Sequence, residues 1–172
     1  GVALSGGEPV AQPEFLLELL RLLHSNGISV YLETSGYARR EVVEKAIPYI
    51  DCFLFDWKLT DSRLHREFTG VDNAVIEENL RLSDSAGKKI VLRCPIIPGV
   101  NDTESHFRGI ARLDRQLGSI DHVELMAYHS MGEGKKEQIG RDDFFKITVP
   151  EADDRSTWLN TLRSFGCDAI LG

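Results

Sequence analysis

The chain has 172 residues, 42% hydrophobic and 27% charged, with a formal net charge of −7. That is enough chain for one domain with a sizeable core, and the acidic balance argues against nucleic acid or an anionic membrane as the main partner. No apolar run approaches the ~20 residues that a membrane span needs.

In chain order, an apolar run at residues 2–5 stops at Ser5-Gly6-Gly7-Glu8-Pro9. A helix is predicted over Pro13–Ser25, with Phe15, Leu16, Leu19, Leu20, Leu22 and Leu23 on one broad face, Pro13 at its start and Gly27 at its stop. A strand over residues 28–35 (ISVYLETS) leads to a helix over 38–47, which carries Val42, Val43, Ala46 and Ile47 and ends at Pro48. The third strand, 52–58 (CFLFDWK), is followed by a helix over 73–86 that carries Val75, Ile76, Leu80 and Leu82, with Gly87 as its stop. The fourth strand, 89–96 (KIVLRCPI), precedes a helix over 103–117 that Asp102 is expected to cap. The fifth strand spans 122–128 (HVELMAY), the last helix 150–165 with Trp158, Leu159 and Leu162 inward, and the last strand 168–172. Most of the strand-like runs are continuously apolar over four or five residues, as strands covered on both faces are. This β-α alternation predicts a parallel sheet, open or curled into a barrel. No repeat, linker or composition break divides the chain, so residues 1–172 are read as a single domain. The irregular stretch 130–149, rich in Gly and Lys, is either a solvated excursion or a lid or docking loop.

The three cysteines, Cys52, Cys94 and Cys167, are odd in number and far apart in sequence. A disulfide framework is not expected, which points to a reducing, cytoplasmic setting. No clustered-cysteine metal motif is present. Cys52 and Cys94 lie in apolar runs and read as small core residues.

The polar residues fall at strand ends: Ser5-Gly6-Gly7-Glu8, Glu33-Thr34-Ser35-Gly36, Asp56-Trp57-Lys58, Arg93 and Tyr128-His129. In a parallel α/β fold these ends share one side, where such folds build active sites. Glu8, Glu33, Asp56, Lys58, Arg93 and His129 are therefore expected to converge on one mouth. For any one of them, a helix cap or turn is the simpler reading. Asp56 and Lys58 resist it, because two residues apart in a strand they share a face, and an unpaired buried charge is costly. They are expected to pair with each other, with neighbours or with a ligand, and a mouth carrying both signs of charge suits a zwitterion.

In this order, SGGEP, ETSG, DWK, LRCPIIPGVND and AYHSMGEGK, with HREFTGVDNAVIEENL after DWKL, resemble the radical S-adenosylmethionine enzymes that activate glycyl-radical enzymes. Within that group they are most similar to the pyruvate formate-lyase activating enzymes, and the likeness covers essentially the whole chain. The resemblance implies an α/β fold, a partial (β/α) barrel of parallel strands open on one side. It implies S-adenosylmethionine and a [4Fe-4S] cluster as cofactors, the latter on a CxxxCxxC loop. It also implies a glycyl-radical enzyme as partner, a backbone glycine of which gives up a hydrogen to a 5'-deoxyadenosyl radical, and a flavodoxin or ferredoxin-type reductant.

Carried over by motif, Ser5, Gly6, Gly7 and Glu8 would hold the methionine amino group, the glycines letting backbone approach closely. Glu33, where relatives often have Asp, would face the methionyl or cation region. Asp56 and Lys58 would lie beside the cofactor, and Arg93 would reach the methionyl carboxylate or its neighbourhood. His129 would contact the ribose side or support the site by a hydrogen bond. A monovalent cation near Glu33, Thr34 and Asp56 is implied by the same likeness.

This sequence departs from the pattern in having no CxxxCxxC loop, and its three cysteines do not replace one. The abrupt start is accordingly expected to reflect truncation, with the first β/α unit missing and the fragment inactive alone. Two other readings stand beside this one. One is a (β/α)-barrel lyase using Lys58 as a Schiff-base amine with Asp56 assisting. The other is a non-catalytic module that docks a partner through residues 130–149.

Overall fold

Six strands form one parallel sheet among the described residues, which are 1–127 and 149–172 of this computed structural model. They are β1 (Val2–Leu4), β2 (Val30–Thr34), β3 (Cys52–Asp56), β4 (Lys89–Ile96), β5 (Ile120–Ala127) and β6 (Ile170–Leu171), and they lie side by side in chain order. Parallel neighbours need a crossover, and the crossovers are right-handed. A strand order that never reverses therefore places the helices on one face, as in a barrel wall, whereas a doubly wound sheet reverses and covers both.

The helices are α1 (Pro13–Ser25), α2 (Arg40–Ala46), α3 (Ser62–Thr69), α4 (Ala74–Ser85), α5 (Glu104–Gln116) and α6 (Ala152–Ser164). Short 3-10 turns occupy Pro9–Ala11 and Ile47–Tyr49. The helices form a row: α1 packs on α2, α2 on α4 and α5 on α6. Polar links along the row include Arg40 donating to Glu78 at 2.9 Å and Arg81 donating to Gln116 at 3.1 Å. Beneath it lies the core, in which Leu20, Leu32, Phe53, Phe55, Leu80, Leu92, Ile110 and Leu125 are fully buried.

The other face of the sheet differs from the expected double cover. Asp56, Arg93 and Glu124 stand opposite one another in register on β3, β4 and β5 and are only partly buried. They alternate with the buried Phe55, Leu92, Cys94, Val123 and Leu125. Period-two alternation marks a sheet with one covered and one open face. The apolar runs obscured it because each of these strands has only one or two polar residues on the open face.

Two local expectations are revised. Helix α3 lay within a stretch with no predicted element, since its eight residues hold few apolar positions. Its ends were written in the sequence: Asp61 accepts from Leu64 N at 2.9 Å, and Gly70, at φ +85°, closes it in the left-handed conformation. The cap of α5 is Thr103, whose hydroxyl accepts from His106 N at 3.3 Å. Asp102 instead accepts from Gly99 N at 2.8 Å and closes the preceding turn.

Candidate functional site

A cleft of about 510 Å³ opens at the carboxyl ends of β1, β2 and β3. Gly6, Gly7 and Glu8 form one wall, Glu33, Thr34 and Ser35 continue it, and Asp56 and Lys58 contribute from the end of β3. The far wall comes from α3, α4 and their connection, through His65, Thr69, Val71 and Ile76.

The walls are tied together by Glu8. Its carboxylate accepts from Thr34 Oγ1 at 2.7 Å, from Ser35 N at 2.8 Å and from Ser35 Oγ at 2.5 Å. Thr34 Oγ1 in turn accepts from Gly36 N at 3.0 Å. The SGGE and ETSG segments are thus one hydrogen-bonded unit. Gly36 sits at φ +73°, and a Cβ there would come within 2.2 Å of the Phe55 ring, so both backbone conformation and packing require glycine. At Gly6 and Gly7 packing makes no such demand, since a Cβ would meet nothing within 4 Å, although φ +130° at Gly6 still favours glycine. Their backbone faces open space that a ligand can fill.

The other carboxylates in and beside the cleft are paired with basic side chains. Lys58 Nζ donates to Asp56 at 3.0 Å, the first of the three pairings the sequence left open. Arg93 Nη1 reaches Glu33 at 2.9 Å, and Arg93 Nε lies 3.5 Å from Glu124. Arg93 therefore meets the cleft through Glu33 and does not line it. Ser5 is exposed and also outside the lining, and His129 lies outside the described residues, as does nearly all of the stretch 130–149.

The cation site expected at Glu33, Thr34 and Asp56 is not supported. Both carboxylates are held by basic side chains, and the Thr34 hydroxyl is engaged by Glu8 and Gly36. No cluster of three or more His, Cys, Asp or Glu side chains suited to a metal occurs among the described residues.

Sequence reasoning passed over the residues that hold the site's loops in place. Buried Asn79 donates to the carbonyls of Gly36 and Ala38, each at 2.9 Å, anchoring the turn after β2 to α4. Asn73 donates to Leu59 O and Thr60 O, and Asn101 donates to Lys58 O at 2.8 Å and Pro95 O at 2.7 Å. Each donates to two backbone carbonyls, all in connecting segments except Pro95 O near the end of β4. Buried His65 was also missed. A carbonyl only accepts, so the 2.7 Å contact to Val71 O makes Nδ1 the donor. The readable signal was position: all four occur inside HREFTGVDNAVIEEN and IIPGVND, motif stretches whose polar residues had no other assignment.

A match to the radical SAM superfamily covers residues 1–111. The chain belongs to that superfamily. Among relatives of this radical SAM protein, the choline trimethylamine-lyase activating enzyme of Oleidesulfovibrio alaskensis is 41% identical over 143 residues, which are 81% of this chain and 46% of that enzyme. The pyruvate formate-lyase-activating enzyme of Clostridium pasteurianum is 31% identical over 155 residues, 90% of this chain and 64% of that one. The chain thus spans about half the length of the curated relatives it matches. A domain of pyruvate-formate lyase-activating enzyme from Bacteroides vulgatus superposes with a TM-score of 0.82 at 28% identity, over 100% of this chain and 98% of that one. The open, parallel, barrel-like sheet is the radical SAM partial-barrel architecture.

Radical SAM proteins use S-adenosylmethionine and a [4Fe-4S] cluster, and the residues present fit only the first. The unobstructed Gly6–Gly7 backbone and a cleft carrying both signs of charge suit the zwitterionic end of S-adenosylmethionine. A cluster needs thiolates, and here all three thiols are buried. Burial pushes each thiol up, Cys167 to about 12. Among the described residues the three form no group of three or more possible ligands, with one another or with other side chains.

Proposed function

We propose that this chain forms the S-adenosylmethionine-binding part of an enzyme that activates a glycyl-radical enzyme. The observation that carries the reading is the joining of SGGE to ETSG through Glu8, beside Asp56 and Lys58, in a chain whose relatives bear activating-enzyme names. The Gly6 and Gly7 backbone would hold the methionine ammonium. Lys58, and Arg93 acting through its contact with Glu33, would set the charge around the carboxylate. The His65 imidazole would face the cofactor from the opposite wall. S-adenosylmethionine supplies, when cleaved, a carbon radical able to take hydrogen from a glycine of the partner. The chain's own residues orient the cofactor and keep its charged end paired, while the cluster ligands are not among them. The chain alone is accordingly expected to bind the cofactor without cleaving it.

Calorimetric titration with S-adenosylmethionine tests this reading. Binding should weaken about tenfold or more in Glu8→Gln, since a side chain receiving four hydrogen bonds, from Val10 N, Thr34 Oγ1, Ser35 N and Ser35 Oγ, loses its charge and part of its accepting capacity. Wild-type chain that fails to bind, or a Glu8→Gln variant that binds equally well, would sink it.

A further inference from the structure

A second concave feature shares no lining residue with the cleft. It is a groove of about 520 Å³ between α5, the end of α6 and the loop after β3. Arg108, Arg112 and Arg115 line it, and among the described residues no carboxylate does, although the chain's net charge is −7. The three arginines recur at i, i+4 and i+7 on one face of α5, a spacing at which like charges repel.

The three are not equivalent. Arg108 is fixed: Nε and Nη2 donate to Glu104 at 2.9 and 2.6 Å, and its guanidinium lies 4.2 Å from the centroid of the Phe165 ring. Arg112 and Arg115 have no ion pair among the described residues. The hydroxyls nearby are largely engaged: Thr60 Oγ1 lies 2.9 Å from His106 Nδ1, and Ser164 donates to Thr161 O at 2.7 Å. Among the described residues, then, the groove holds two unpaired guanidinium forks against a fixed, aromatic-backed third. Guanidinium presents paired N–H donors whose spacing matches two oxygens of a tetrahedral oxyanion.

We propose that this groove binds a dianionic tetrahedral oxyanion, the phosphoryl group of a small molecule or free phosphate, on Arg112 and Arg115 beside Arg108. The proposal is independent of the cofactor cleft. Calorimetric titration with inorganic phosphate, at low ionic strength against a chloride control, should give saturable binding. The exposed double variant R112Q/R115Q should bind about tenfold more weakly or worse, as expected when charge-assisted hydrogen bonds are lost. Arg21→Gln, on α1, should bind as wild type. Circular dichroism and thermal melts of each variant check that the fold is retained. Glycerol 3-phosphate binding more tightly than phosphate would support the small-molecule source, and the reverse order the free ion. The proposal is overturned if wild type shows no saturable binding, if R112Q/R115Q binds unchanged, or if succinate binds as tightly as phosphate.

Discussion

The two faces of the sheet are made by the same strands and follow opposite rules. Beneath the helices, Leu32, Phe53, Phe55, Leu92 and Leu125 are buried almost completely. On the open face, Glu33, Arg93, Glu124 and His122 pair with one another while keeping contact with solvent. Stability is concentrated on the first face, through apolar area removed from water. Charge sits on the second, where residual solvation lowers the cost of placing it. Alternate residues of one strand thereby serve packing and chemistry without competing for space.

The sharpest way to break this contrast is to truncate adjacent residues of β3. Phe53→Ala empties a helix-covered position and should cost about 3–5 kcal/mol. Leu54→Ala, next in sequence but turned to the partly exposed face, should cost less than about half of that. Urea denaturation of both variants measures the difference. Equal costs would mean that the open face is as well packed as the covered one.

How much of this was legible beforehand follows the same division. The order of strands and long helices could be read because Leu16, Leu20, Ile76, Leu80, Ile110 and Leu113 recur with helical spacing, and period is a property of sequence. The cleft could be read in part because SGGE, ETSG and DWK each end a strand, and parallel topology brings strand ends together. Other features could not be read because they are long-range pairings. Nothing in the spacing of Glu8 and Ser35, or of Asn101 and Lys58, shows that one bonds the other. The engagement of Glu33 by Arg93 likewise needs coordinates, and it removes the carboxylate on which the cation expectation rested.

A smaller effect tests the covered face by pH. His106 is buried, and its Nδ1 accepts from Thr60 N at 3.2 Å, which leaves a buried Nε2 with no hydrogen-bond partner. Burial lowers its pKa to about 4 from an ordinary value of 6.5. With the folded value depressed, the unfolded chain takes up a proton first as pH falls. Stability is complete above pH ~6.5 and declines toward pH ~4, by about 3 kcal/mol from this residue. His106→Asn keeps an acceptor for Thr60 N–H but cannot titrate. Urea denaturation at pH 7 and pH 4.5 should show wild type losing more stability than the variant over that interval. Parallel losses would show that other groups cause the acid sensitivity.

The smallest expected effect belongs to the open face and has the opposite sign. His122 Nδ1 lies 2.7 Å from Asp121, and Nε2 lies 3.2 Å from Glu124. The Asp121 contact chiefly, with Glu124 adding, holds its pKa above the ordinary value against a modest opposing effect of burial. A raised folded-state pKa stabilises fully below pH ~6.5, and the contribution fades as pH climbs through the raised value. Because the pair is solvent-screened, the amount should stay below about 1 kcal/mol and shrink further at high salt. The melting-temperature gap between wild type and His122→Gln should therefore be widest near pH 6 and close toward pH 8.5, whereas the gap for His106→Asn changes most below pH 6.5. Two histidines on opposite faces of one sheet would then report its two environments through pH dependences of opposite sense. A His122→Gln gap that widened with rising pH would mean that the carboxylates beside His122 do not hold its proton.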